Sequence, residues 1–236
     1  MPALLSASHI EAVADGDWLI RDVSLEVAEG STVALLGGAA AGKSVLFDLL
    51  LGLRPQRAGE IRLGGHDLGP LGPLARQQLG LRCAFQTPPV FPGLAVREHL
   101  VLAAASVRLE DSAIPRLADY FPELDGRLDQ PVTALEPELL RLVDLGRALL
   151  GLPRVLLIDN LLPAIGIERA SSLVESLARD GYTLLLADRW AEPTLALADY
   201  GYVLAQGRLV AAGRPSELLA DGKLLAACAG DPEAYA

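Results

Sequence analysis

"TVALLGGAAAGKSVLFDLL", Thr32 to Leu50, decides the fold. Thr32–Leu36 is a short apolar run that predicts a strand, and the residues from Val45 onward predict a helix. Between them "GGAAAGKS", Gly37 to Ser44, fits G-x-x-x-x-G-K-[ST] directly after a strand and before a helix. That context gives the pattern a physical meaning. Backbone N–H groups of Gly37, Gly38, Ala39, Ala40, Ala41 and Gly42, continued by Lys43, Ser44 and Val45 at the helix start, point at phosphate oxygens. Lys43 adds a point charge for the outer phosphates, and the Ser44 hydroxyl can ligate Mg2+. Of the 20 basic residues only Lys43 and Lys223 are lysine, and one of those two falls here. Ala40 stands where glycine is more usual. Its methyl restricts φ and is expected to narrow the turn and weaken the fit to phosphate.

Further along, "RVLLIDN", Arg154 to Asn160, is an apolar strand that closes on one carboxylate. In folds with this loop, the strand lying near it ends in an acid that holds Mg2+ directly or through water. Asp159 takes that reading, against the alternative of a buried acid paired with arginine. Gln86 closes another predicted strand, Leu81–Gln86. Further strands are predicted at Ser8–Val13, Val23–Val27, Glu60–Leu63 and Thr183–Ala187. Helices are predicted at Glu168–Ala178 and Thr194–Leu197, with a mainly helical stretch from Val96 to Leu150 broken near Pro115. A hairpin turning at Gln206–Gly207 and two short helices close the chain. Alternating strands and helices imply a mostly parallel sheet with helices on its faces.

Composition narrows the function. The chain has 236 residues, 51% hydrophobic, enough for one large domain with a subdomain. A net charge of −10 argues against nucleic acid as a partner. Two cysteines, Cys83 and Cys228, supply neither a disulfide framework nor a cysteine metal cluster. The N-terminus lacks a basic start and a long apolar run, so no signal peptide is expected. No apolar stretch approaches the roughly 20 residues of a membrane span. A soluble, cytoplasmic protein is expected, whose membrane contact runs through a partner.

The motifs also keep a fixed order: phosphate loop, Gln86, a helical segment, "LGRALLGLPRVLLID" (Leu145–Asp159), and "LADYGYVLAQGRLVAAGRPSELLAD" (Leu197–Asp221) followed by "LLAACAG". In this order and wording the chain resembles the ATP-binding subunits of ABC transporters from about His9 to Gly230, with the branched-chain amino acid uptake branch closest. The resemblance implies an α/β P-loop NTPase core with a mostly parallel sheet, an N-terminal antiparallel β subdomain and an inserted α-helical subdomain. The core would be residues 1–86 and 151–236, the insertion 87–150. It implies ATP and Mg2+ as cofactors, with Ser44, Gln86 and Asp159 around the metal and Gln86 sensing the terminal phosphate. It implies a membrane permease docked near Phe85–Phe91, a dimer with itself or a paralogous subunit, and a peripheral place on the inner face of the cell membrane.

The chain departs from that family where the chemistry happens. An adenine-stacking aromatic is expected near Ala14, and the nearest is Trp18, about four residues late. The glutamate that follows the magnesium acid is Asn160, and an amide cannot take a proton from water. A positioned general base contributes ~10²–10⁴ in rate. The Ser-Gly-Gly signature that grips a phosphate across the dimer is replaced by "LEPEL", Leu135 to Leu139. There Pro137 removes an N–H, and Glu136 and Glu138 oppose a phosphate, by about 4 kcal/mol per charge at 4 Å and an effective dielectric of 20. Pro with flanking acids is also simply a good helix start. The switch position after the next strand falls at Trp190, and "LLPAIG" lacks the polar residues used across the interface. These readings predict an ATP-binding subunit with impaired or absent hydrolysis. Two alternatives stay open: a structural or regulatory scaffold that no longer binds nucleotide, and an active ATPase using Glu168 or Asp188 as a stand-in acid.

Overall fold

The protein is described by a computed structural model, which covers residues 3–107, 114, 117–222, 224 and 228. The expected break at Pro115, as well as Lys223 and most of the final predicted helix, lie outside the described residues.

β1 (Ala3–Ala14) and β2 (Asp17–Ala28) form a long antiparallel hairpin. Asp15 and Gly16 make its turn, both in the left-handed region at φ 52° and 90°. An Asp-Gly turn of this kind matches the twist of the strands it joins. Each strand runs 12 residues, so the pieces expected at Ser8–Val13 and Val23–Val27 belong to one continuous ribbon. With β4 (Ala58–Leu63) and β5 (His66–Asp67) they make a four-stranded sheet in the order β2-β1-β4-β5.

The second sheet has six strands, ordered β10-β9-β3-β8-β7-β6. β3 (Thr32–Leu36), β6 (Leu81–Ala84), β7 (Val155–Asp159), β8 (Leu184–Asp188) and β9 (Tyr200–Ala205) run parallel. β10 (Arg208–Gly213) returns antiparallel along β9. β3, β7 and β8 are buried at every position, which is why they read as unbroken apolar runs instead of alternating ones. The helices around these sheets include α1 (Lys43–Leu51), α2 (Pro73–Gln78), α3 (Val96–Ala105), α4 (Pro137–Leu150), α5 (Leu162–Ile165), α6 (Ile167–Arg179), α7 (Ala191–Ala196) and α8 (Pro215–Leu219).

Strand alternation sorts the core into two main clusters. Leu157 and Leu185 face α1 and the antiparallel sheet, where they meet Leu46, Leu50, Ile20 and Ile61. Leu156, Ile158, Leu184 and Leu186 face the other way, onto Leu100 of α3, Val143 and Leu149 of α4, and Leu173 of α6. The helical insertion therefore shares its apolar core with the main sheet.

The turn of the β9–β10 hairpin locks three parts of the molecule together. Gly207 N–H donates to Ala41 O in the phosphate loop (2.9 Å), while Gly207 O accepts from Arg21 N–H on β2 (2.8 Å). Gly207 sits at φ 74°, and a Cβ there would lie 2.4 Å from Leu19 O. Gly207→Ala is expected to destabilise the fold by about 2 kcal/mol, read as a shifted urea midpoint at constant slope. A change under about 0.5 kcal/mol, the ordinary size for a surface substitution, would mean that this contact is slack.

Candidate functional site

The parallel strands β3, β8 and β7 end along one edge of the sheet, the usual place for a ligand in an open α/β sheet. The loop between β3 and α1 stands on that edge. Gly37, at φ 156°, packs so closely that a Cβ would meet Leu204 O at 2.3 Å and the Ala41 methyl at 2.7 Å. Gly42 caps α1 at φ 105° with no side-chain hydrogen bond, and the first turn carries no acid. The N–H groups that open α1 therefore keep their capacity for an outside anion. Ala39 and Ala40 are exposed, and neither takes a positive φ. The narrowing expected from the Ala40 methyl is thus absent, because the backbone there never needs glycine's freedom.

Lys43 is only 8% exposed. Its Nζ donates to the loop's own carbonyls, Gly37 O at 2.7 Å and Gly38 O at 2.9 Å. Burial lowers its pKa, and the charges of Asp159 and Asp188 pull in the opposite direction. Ser44 Oγ donates to Asp159 Oδ2 at 2.8 Å. A serine hydroxyl and a carboxylate this close form a hard oxygen donor pair of the kind Mg2+ accepts. The donor set and the uncapped helix start therefore fit a magnesium-bound polyphosphate.

Asp159 is almost fully buried at the end of β7. Burial raises its pKa, opposed by the Ser44 bond and by Lys43 and Arg141. Arg141, on α4, escaped sequence reading. It is 4% exposed, and its Nη2 donates to Asp159 O at 2.6 Å while Nε and Nη1 find no protein partner. The signal was a lone cation inside the apolar run "LLRLV". Asn160, the next residue after Asp159, lies in the left-handed region at φ 56°, its N–H bonded to Ala187 O at 2.7 Å. Asparagine tolerates that conformation better than most side chains, so the backbone itself accommodates an amide here.

Asp188 closes β8 beside these groups, 1% exposed. Oδ1 accepts the N–H groups of Arg189 (2.7 Å) and Trp190 (3.1 Å), and Oδ2 accepts that of Leu162 (3.3 Å). A carboxylate so engaged anchors loops and has little left for a water molecule. Glu168, the other stand-in considered, is exposed in the first turn of α6. Trp190 packs against the helical cluster and caps α7, its carbonyl accepting from Thr194 Oγ1. Its neighbour in this turn, Arg189, is exposed. The β6 strand stops at Ala84, and Gln86 follows two residues later, exposed. The expected strand was too long because Phe85 N–H turns away to Asp144 Oδ2 (2.8 Å).

One cavity adjoins the loop and another lies over the helices. One, of about 350 Å³, lies on the β9–β10 side of the loop and is lined by Trp18, Arg21, Ala40, Val45, Gln206 and Arg208. Trp18 is half-exposed there, with the guanidinium carbons of Arg57 and Arg21 at 5.0 Å and 5.6 Å from its ring centroid. The hairpin register thus carries Trp18 to the loop despite its late place in sequence. The other cavity, of about 250 Å³, lies over α3 and α4, between Gln77, Phe85, Phe91, His99, Leu102 and Arg147. Phe91 and Leu102 are exposed at its rim. Buried His99 fixes the Phe91 backbone by accepting its N–H at Nε2 (2.9 Å), while Nδ1 donates to Ala95 O (2.9 Å). α4 opens with exposed Glu136, Pro137 and Glu138.

Because burial holds the Asp159 pKa above the ordinary 3.8, the folded state keeps that proton to higher pH than the unfolded chain. The stability this group contributes is full below the ordinary carboxylate value and is lost as pH rises through the folded one. Asp159→Asn is expected to flatten the melting temperature against pH across that window. An unchanged profile would assign the titration elsewhere.

Comparison with known proteins agrees with this geometry. A family model described as "ABC transporter" matches residues 20–162. The chain is 31% identical over 212 residues to the high-affinity branched-chain amino acid transport ATP-binding protein BraG of Pseudomonas aeruginosa, covering 87% of this chain and 90% of the relative. It is also 31% identical over 232 residues to the lipopolysaccharide export system ATP-binding protein LptB of Escherichia coli K12, covering 93% and 94%. A solved structure of an ATP binding subunit of an ABC transporter superposes with a TM-score of 0.81 at 25% identity, covering 91% of each chain. An ATP-binding cassette solved in its ADP conformation superposes with a TM-score of 0.84 at 20% identity, covering 98% of this chain and 100% of that one, a likeness of fold. The chain belongs to the ABC transporter family, and its relatives there are the ATP-binding subunits.

Proposed function

We propose that this chain binds Mg·ATP at the loop of Gly37–Val45 and hydrolyses it poorly or not at all, as the ATP-binding subunit of an ABC transporter. The observation that carries the reading is the junction Asp159–Asn160. The metal-side groups stand ready, Ser44 and Asp159 at 2.8 Å, yet the residue that follows is an amide with no basic lone pair to take a proton from water. Bound Mg2+ would screen the phosphate charge. Ser44 and Asp159 would hold the metal, with Gln86 on the same edge. Lys43 would leave the carbonyls of Gly37 and Gly38 for the outer phosphates, and the uncapped start of α1 would take the remaining oxygens. The base would lie in the cavity rimmed by Trp18. Glu136 and Glu138 supply α4 with its own anions, which disfavours a phosphate from a second subunit.

Members of this family pair with membrane permeases and dimerise. The apolar rim of Phe91 and Leu102 above a polar cavity suits a helix from such a permease, and we place the insertion that carries it at residues 87–150. Among the described residues no helix is long and apolar enough to cross a membrane. The reading places the chain on the inner membrane face, through its permease. The Pseudomonas relative favours branched-chain amino acids as the solute. A scaffold role without nucleotide is the second reading, favoured by Lys43 resting on its own loop's carbonyls.

Calorimetric titration of the purified protein is expected to show saturable Mg·ATP binding, weakened at least tenfold in Lys43→Ala, with turnover ~10² or more below that of an enzyme with its general base. Absence of saturable binding would establish the scaffold. Ordinary turnover that disappears in Lys43→Ala would overturn the impaired-hydrolysis reading.

A further inference from the structure

The cavity beside the phosphate loop is rich in hydrogen-bond donors. Trp18, Arg21, Gln206 and Arg208 stand in its wall, and no carboxylate lines it among the described residues. The Trp18 ring is not bare, because the guanidinium carbons of Arg57 and Arg21 lie 5.0 Å and 5.6 Å from its centroid. A bare aromatic ring stacks on any base, since every base has a π-face. A guanidinium carries five N–H donors and no acceptor, so it discriminates by the edge it meets. Arg21 Nε is buried with no hydrogen-bond partner. Arg208 is exposed, and no hydrogen bond or ion pair holds its side chain among the described residues. The frame beneath both arginines is fixed. Arg21 N–H donates to Gly207 O (2.8 Å), and Gly207 N–H donates to Ala41 O in the phosphate loop (2.9 Å). Gln206 and Arg208 flank that glycine, so little backbone entropy is left to lose when a base is bound.

The two purines differ at the edge such donors read. Guanine shows two acceptors there, N7 and O6, whereas adenine shows the N7 acceptor beside an N6 amino donor. Against a guanidinium, the adenine amine sets donor against donor, and guanine satisfies both prongs. We propose that this cavity selects guanine over adenine, with Arg21 and Arg208 on the N7 and O6 edge, so that the preferred guest of the loop is Mg·GTP. This rests on the nucleotide reading above and adds the choice of base. Gln206 contributes an amide carbonyl, an acceptor that the N–H groups of guanine can use. An arginine fork on guanine is the commonest specific contact between a side chain and a base, and one good pair gives about tenfold discrimination or more.

The test is calorimetry with Mg·GTP, Mg·ITP and Mg·ATP on the wild type, Arg21→Ala and Arg208→Ala, with melting curves as the control for folding. Inosine triphosphate keeps the N7 and O6 of guanine and lacks its 2-amino group. The wild type is expected to bind Mg·GTP and Mg·ITP about tenfold more tightly than Mg·ATP, and each substitution to cut that preference by about threefold or more. Arg208 is exposed beside the hairpin turn, so its variant carries the test alone if Arg21→Ala does not fold. Mg·ATP bound as tightly as Mg·GTP, Mg·ITP behaving like Mg·ATP, or a preference untouched by substitution would each overturn the choice of base while leaving nucleotide binding intact. A wild type that binds none of the three would overturn both readings together.

Discussion

Charge buried at the C-terminal edge of the parallel sheet is the constraint on which the rest depends. Lys43, Arg141, Asp159 and Asp188 are each less than a tenth exposed, and all reach that edge. Burying an ionised group is expensive unless it is paired and hydrogen-bonded. The fold meets the demand with short-range partners. Lys43 takes two carbonyls, Asp188 three N–H groups, Asp159 the serine hydroxyl, and Arg141 the backbone at the end of β7. The groups that keep the sheet edge intact are thus the ones that would meet a ligand. Any ligand must replace these internal contacts with better ones, and the resting arrangement sets the threshold it has to exceed.

Two helix starts face opposite demands within this frame. α1 opens on glycine with no acid and no side-chain cap. α4 opens on proline between two glutamates. The positive end of a helix dipole favours anions, so the first is left open for a guest and the second carries its own. On the proposed reading, the chain keeps one acceptor of phosphate and sets its own acids against a phosphate at the other.

Much of this was legible in sequence because the deciding signals were local. The loop motif lay in eight consecutive residues, and the apolar runs of β3, β7 and β8 announced buried parallel strands. Asp159 stood out as a lone acid at the end of the β7 run. What stayed hidden depended on register or on distant contacts. The Asp15-Gly16 turn extends a ribbon whose alternation is blurred by bulges, so its strands read short. Trp18 looked misplaced because counting along the chain does not follow the hairpin that carries it to the loop. Trp190 was read as the switch position by counting along the chain, whereas its side chain packs against the helical cluster. Arg141 could have been flagged as a cation in an apolar run, but nothing in its neighbourhood announced that it would bond the backbone of a strand 18 residues away.

The apolar cluster shared by α3, α4, α6 and strands β7 and β8 has a mechanical consequence. A segment that owned its core could swing as a separate body on its connections. Here Leu156, Ile158, Leu184 and Leu186 form the floor on which α3 and α4 rest. Any tilt of those helices must slide them over the strands that end in Asp159 and Asp188. On the proposed reading, force from a permease docked over α3 and α4 would pass through these side-chain contacts toward the strands that end in Asp159 and Asp188.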